Sequence, residues 1–166
     1  MNSSERDRSI IDVRVRLAAL EDYAGFEAVA GETHAHHVAA IHSVFRSVAV
    51  AVPREYFAQL VTGDDSDVIV AEVSGKIVGY AVLLHRRAAR DMLVPRAYAH
   101  IENVGVAAAY RREGIGRRLI EACAARAKER GATSLELDCW EANQGAIAFY
   151  TSHGMHVTRR YFAMDI

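Results

Sequence analysis

From Tyr98 to Gly131 the hydrophobic period changes once, and that change constrains the fold more than any other feature of the chain. Tyr98 to Val106 alternates as a strand, which places Tyr98, His100, Glu102, Val104 and Val106 on one face. Gly114 to Arg130 instead has an apolar stripe of Ile115, Leu119, Cys123 and Ala127 at helical spacing, with Arg117, Arg118, Glu121, Lys128 and Glu129 off it. Gly131 stands where a C-terminal cap belongs. A strand that passes through a short loop into an amphipathic helix needs a sheet beside it and the helix layered on that sheet, so the pattern predicts an α/β fold.

The flanking segments extend the sheet and its cover. Val13, Val15 and Leu17 alternate with charged residues as a half-buried strand. Glu21 to about Ser47 reads as helical, but Gly25 and Gly31 weaken it and predict a broken helix or two short ones. Pro53 opens a second helix carrying Tyr56, Phe57, Leu60 and Val61, which Gly63 closes. Val68 to Val73 and Ile77 to Leu84, joined by Ser74-Gly75-Lys76, form a hairpin rich in β-branched residues. Arg86 to Arg96 is a charged connector, Ser134 to Trp140 a buried strand, Gln144 to Ser152 a short helix, and Val157 to Ile166 a strand-like end. One domain spanning residues 10–166 is expected, with residues 1–9 as a flexible tail.

Charge and cysteine usage narrow the function classes. Twenty basic and 21 acidic side chains leave a formal net charge of -1, so nothing global attracts nucleic acid or an anionic membrane. Cys123 and Cys139 make no disulfide framework and no paired zinc-ligand spacing. No apolar run reaches the ~20 residues of a membrane helix, and the first residues lack a signal-peptide core. A cytoplasmic protein is expected.

The loop before the amphipathic helix carries the chemistry. A helix start leaves backbone N–H groups unpaired at the positive end of the dipole, and glycines let an anion approach them, so Ala107 to Arg117 suits a phosphate group. No Gly-Lys-Ser/Thr follows and no three-glycine dinucleotide fingerprint is present. Arg111-x-x-Gly114-x-Gly116 resembles motif A of the GNAT superfamily of acyl-CoA-dependent N-acyltransferases. The resemblance takes in the preceding Ile101 to Val106 and the later Asn143…Ala146…Phe149-Tyr150…Gly154-Met155, where Met155 replaces the family's usual Phe.

The resemblance implies a GNAT fold: a central mixed, mostly antiparallel twisted sheet of 6–7 strands, splayed between strands 4 and 5 and flanked by about four helices. It implies acetyl-CoA as co-substrate, an amine acceptor, direct transfer, no metal and a possible homodimer. The backbone N–H groups of Arg112, Glu113, Gly114, Ile115, Gly116 and Arg117, beside Arg111, would hold the coenzyme pyrophosphate. Val104, Gly105 and Val106 would pair with the pantetheine arm, with Asn143, Ala146, Phe149 and Tyr150 across the slot. A bulge near Asn103 to Gly105 is expected, because Gly105 tolerates one. Glu102 is the first candidate for the base and His100 the second, while Tyr150 would serve the departing thiol. Asn143 also suits the N-cap of the helix that follows, and the two roles are compatible. A coenzyme-binding module without turnover would share the same loop, but has no need of both Glu102 and Tyr150.

Other polar and aromatic residues read more simply. His34, His36, His37 and His42 lack the companion ligands of a metal site. Cys123 and Cys139 read as small core residues rather than nucleophiles. The connection from Phe45 to Pro53 is expected to line the acceptor pocket, and Trp140 and Tyr161 to serve packing or a dimer contact.

Overall fold

Five strands and four α-helices are present among the described residues of the computed structural model, which are 12–92, 94–164 and 166. The expected tail at residues 1–9 lies outside them. In chain order the elements are β1 (Val13–Leu17), α1 (Tyr23–Ala40), α2 (Arg54–Thr62), β2 (Ser66–Val73), β3 (Lys76–Ala88), β4 (Arg96–Val106), α3 (Ile115–Glu129), β5 (Ser134–Leu137) and α4 (Gln144–Ser152). The sheet order is β1-β2-β3-β4-β5. The first four strands pair antiparallel, and β5 returns parallel to β4 after the α3 crossover. Among the described residues no helix is long and apolar enough to cross a membrane.

Each face of the sheet has its own core. On one side α3 buries Ile115, Leu119, Ile120, Cys123 and Ala127 against Ile69, Ala71, Ala81, Leu83, Ala99 and Ile101. On the other, Phe26 and Val29 of α1 and Phe57 and Leu60 of α2 cover Val68, Val70, Tyr80, Val82 and Leu84. The spacing of Phe26, Val29, Ala30 and Thr33 puts all four on one stripe of α1.

Several expectations need correction. Helix α1 runs unbroken for 18 residues through both glycines. Gly25 is there for close approach, since a Cβ would stand 2.9 Å from the Ile77 side chain, and tertiary contact overrides the propensity penalty. The helix stops at Ala40, short of Ser47, and Pro53 caps α2 from outside rather than entering its first turn. Leu17, expected inward, is 47 % exposed at the strand end. The charged connector is half strand: β3 continues to Ala88 and pairs with β4 from Arg96 onward, because backbone pairing on a protruding hairpin does not require apolar side chains. Strand β5 ends at Leu137, three residues before Trp140, leaving Cys139 outside the ladder.

A sheet of 6–7 strands is not what forms among the described residues. Val157 to Met164 adopt no strand, and Tyr161 and Phe162 are 95 % and 84 % exposed. Strand-like composition makes a strand only where a neighbouring backbone offers a ladder, and β5 presents only four residues.

The ion pairs that lock α3 to the sheet lie away from its N-terminus. Asp67 of β2 accepts two hydrogen bonds from Arg126 of α3, at 2.8 and 3.0 Å, and lies 2.7 Å from Nε2 of His85 on β3. Arg16 likewise joins Asp22 at 2.6 Å and Glu72 at 2.8 Å at the other edge of the sheet.

Candidate functional site

Register decides where the chemistry of β4 faces. Asn103 pairs with Val82 and Ile101 with Leu83, so Glu102 is an extra residue in β4. This bulge corrects two expectations at once. It falls at Glu102, one residue before the expected Asn103 to Gly105, and it breaks the single face predicted for Tyr98, His100, Glu102, Val104 and Val106. Val104 and Val106 pack towards the α3 side, while Glu102 and Asn103 line a cavity on the α1–α2 side. Gly105 instead lets α1 lie against the sheet, because a side chain there would collide with the Thr33 hydroxyl and the Tyr80 ring.

The β4–β5 ladder ends where the bulge begins, because β5 ends at Leu137. Their parallel register covers only Tyr98 to Ile101 against Ser134 to Leu137, and the Arg96–Glu136 ion pair anchors that end. From Glu102 to Val106 the edge of β4 turned away from β3 has no strand partner among the described residues. The unpaired edge of β4 runs on from there to the loop that precedes α3.

That loop presents a run of donors. Arg111 is tied back by its Nε to the Val106 carbonyl at 3.0 Å. Arg112 and Gly114 take left-handed backbone angles, φ 68 and φ 77, which turn successive N–H groups to the same side. Among the described residues the backbone N–H groups of Arg112, Glu113, Gly114, Ile115, Gly116 and Arg117 donate to no protein acceptor; the next, Arg118, donates to the Gly114 carbonyl at 3.2 Å. Nothing lies within 4 Å of where a Gly114 Cβ would be, so the loop is uncovered at that point. Unpaired donors at the positive end of a helix fit a pyrophosphate. Glu32 of α1 steadies the approach by accepting from the Ala108 N–H at 2.6 Å.

Helix α4 packs beside the start of α3. Asn143 is its N-cap, its Oδ1 accepting from the Ala146 N–H at 3.1 Å. The Phe149 ring packs on the first turn of α3, 3.2 Å from where a Gly116 Cβ would stand, and meets Tyr150 edge-on at 5.4 Å. Burial pushes the Tyr150 hydroxyl up to about 12, and the thiols of Cys139 and Cys123 act in the same direction. It keeps its proton at neutral pH.

The two candidate bases have different neighbours. The Glu102 carboxylate accepts hydrogen bonds from the Tyr56 hydroxyl at 3.0 and 3.3 Å. His100 lies 3.8 Å from Asp138, just beyond β5. The pairing with Tyr56 is not foreseen from the sequence, where Tyr56 falls in the apolar set of α2. A usable signal was present, because Tyr56 is offset from the Phe57–Leu60 stripe and cannot share its burial; it is 41 % exposed. Glu27 is likewise unforeseen: its carboxylate accepts from the Ala51 and Val52 N–H groups at 2.7 and 2.9 Å and fixes that stretch as a cavity wall.

The histidines of α1 serve the connection that follows it. His34 Nε2 lies 2.8 Å from the Arg46 carbonyl, His37 stacks on Phe45 at 5.2 Å, and Phe45 meets Trp140 at 5.8 Å. Burial, with His36 and His34 nearby, lowers the His37 pKa. No group of three or more His, Cys, Asp or Glu suited to a metal ion occurs among the described residues.

The chain is similar to known proteins along most of its length. The acetyltransferase (GNAT) family model matches residues 36–155. An uncharacterised N-acetyltransferase of Methanocaldococcus jannaschii is 35% identical over 101 residues, 61% of this chain and 44% of that protein, so the match spans less than half of that relative's length. The BH1408 protein of Bacillus halodurans, solved as a tetramutant, superposes with a TM-score of 0.88 at 26% identity, over 92% of this chain and 99% of that one. An aminoglycoside N-acetyltransferase solved in complex with CoA shares the fold, with a TM-score of 0.74 at 14% identity over 94% and 95% of the two chains.

Proposed function

The chain belongs to the GNAT acetyltransferase family, and from that premise we propose that it transfers the acetyl group of acetyl-CoA to a primary amine by direct attack. The observation that carries the coenzyme half of this reading is the run of unpaired N–H groups from Arg112 to Arg117. Acetyl-CoA supplies an activated thioester. Arg111 to Arg117 would hold its pyrophosphate, and the open edge of β4 at Val104 to Val106 would receive the pantetheine arm, facing Asn143, Ala146 and Phe149. A Val104 N–H turned into the slot would polarise the thioester carbonyl.

The side chains divide the proton work. Glu102, at the rim of the cavity, takes the proton of the incoming amine, directly or through water. His100 is the second candidate, set back towards Asp138. Tyr150, protonated at neutral pH, donates to the departing sulfur. Free thiols at Cys123 and Cys139 support a reducing compartment such as the cytoplasm.

Two variants separate these roles. Gly114→Val places a β-branched side chain at φ 77, so the loop must relax and re-aim its donors; acetyl-CoA affinity by calorimetry is expected to fall about tenfold or more, with little change in melting temperature. Unchanged affinity would remove the pyrophosphate assignment. Tyr150→Phe is expected to lower kcat about 100-fold with a smaller effect on KM, and a wild-type kcat would leave Tyr150 a packing residue. The function as a whole is tested by thiol release from acetyl-CoA across amines, amino acids, aminoglycosides and peptides, beside calorimetric binding of acetyl-CoA. Coenzyme binding with turnover of one class supports the reading, and failure to bind the coenzyme contradicts it.

A further inference from the structure

The cavity next to Glu102 bears on which amine is acetylated, an inference that rests on the acetyltransferase reading above. Phe26, Val52, Leu60 and Val82 form its apolar surface, with Tyr56 and Glu102 among its lining residues. Its volume is about 230 Å³, below the ~300 to 1,000 Å³ of pockets that take drug-sized ligands. A compact apolar group fits inside it.

The charges available to that occupant are few. Glu102 is the one carboxylate among the lining residues, and the Tyr56 hydroxyl holds it. The Glu27 carboxylate, behind the wall, is occupied by the Ala51 and Val52 N–H groups. The Thr33 hydroxyl is turned to the Val29 carbonyl at 2.9 Å. One ammonium group therefore finds one counter-charge at the rim. A second cation carried inward would meet only the uncharged Tyr80 hydroxyl and Asn103 side chain, and burying it without a counter-charge is costly.

We propose that the acceptor is a compact primary monoamine with an apolar body, the body filling this cavity and the nitrogen lying at Glu102. The ammonium gives a proton to Glu102, directly or through water. The nitrogen lone pair then forms the C–N bond to the acetyl carbon, the C–S bond breaks, and the sulfur takes up a proton in place of the second one lost by nitrogen. The products are an N-acetyl amide and the free thiol of the coenzyme, with nothing oxidised or reduced.

The test is thiol release by the full chain with n-butylamine, benzylamine and 2-phenylethylamine against spermidine, kanamycin and an alanine-initiated tripeptide, with acetyl-CoA binding measured by calorimetry in parallel. The expected result is a kcat/KM for the best monoamine about 100-fold above that for spermidine, kanamycin or the tripeptide. Ala51→Phe, which fills a half-exposed wall position, should raise KM for 2-phenylethylamine about tenfold and leave acetyl-CoA affinity unchanged. Three outcomes overturn the proposal while acetyl-CoA still binds: preference for a polycation or the peptide, no turnover of any monoamine, or an Ala51→Phe variant indistinguishable from wild type. Failure of acetyl-CoA to bind removes the acetyltransferase reading and this inference with it.

Discussion

Glu102→Gln is expected to lower kcat/KM by about 100-fold while leaving acetyl-CoA affinity unchanged. The substitution keeps the size of the side chain and an acceptor for the Tyr56 hydroxyl, so what it removes is the ability to take a proton. An effect near the low end of the ~10² to 10⁴ range for general acid–base catalysis is expected, because water reaches this exposed carboxylate and can carry part of the proton flow. The pH profile identifies the group. With Glu102 as the base, wild-type kcat/KM falls as acid protonates the carboxylate, and the Gln variant loses that acidic limb. If the limb persists in Glu102→Gln and disappears in His100→Asn, the base is His100. Tyr56→Phe should produce a smaller loss of kcat, since the carboxylate stays and only its orientation relaxes.

Asp67→Ala is expected to destabilise the fold by about 2 to 3 kcal/mol, observed as a melting temperature lowered by about 5 to 10 °C. The Asp67 side chain is 9% exposed and serves both Arg126 and His85. Removing it leaves two donors without their acceptor, but Arg126 is 27% exposed and still has Glu129. That outlet keeps the loss below the ~3 to 5 kcal/mol of a fully buried pair. Burial alone would raise the Asp67 carboxyl, and the Arg126 and His85 contacts override it and hold the group below its ordinary 3.8. A folded-state value below the unfolded one adds stability that is complete above about 3.8 and fades as pH falls towards the lower folded value. Asp22, held down by Arg16, acts in the same direction. The stability these two carboxylates supply should therefore begin to fall below about pH 4 in the wild type, and the Asp67→Ala variant should show a shallower dependence there.

The parts of the fold legible in the sequence were those whose signal is local. The stripe of α3 and its glycine-bearing approach could be read because helical period, the left-handed Gly114 and the Asn143 cap each act within a few residues. The hairpin of β2 and β3 was legible for the same reason. What was hidden depends on partners distant in the chain. A period-two pattern cannot locate an inserted residue, so the exact place of the expected bulge, at Glu102, and the division of β4 between two faces emerged only from its register with Val82 and Leu83. Gly25 read as a helix breaker because its reason, Ile77, lies on another element. The strand composition of Val157 to Met164 gave no information about whether a ladder would be offered to it.

Within the candidate site the same division holds. The backbone donors from Arg112 to Arg117 were expected from the resemblance of Arg111-x-x-Gly114-x-Gly116 to motif A, and among the described residues their N–H groups donate to no protein acceptor. The side-chain partners were not foreseen: Tyr56 reaches Glu102 across 46 positions, and Glu27 reaches the wall of the cavity across 24 and 25. Their contacts depend on how α1 and α2 sit on the sheet, which no single segment encodes.

If the free N–H groups at the start of α3 receive the coenzyme, their own resonances must report it. The most direct measurement is a titration of the isotopically labelled protein with acetyl-CoA, following backbone amide resonances. Saturable shifts are expected to concentrate at Arg112 to Arg117 and along the open edge of β4 from Glu102 to Val106, with the amides of β1 and β2 unmoved. Saturable binding that leaves Arg112 to Arg117 unshifted, or no binding at all, would contradict the assignment of this loop to the coenzyme.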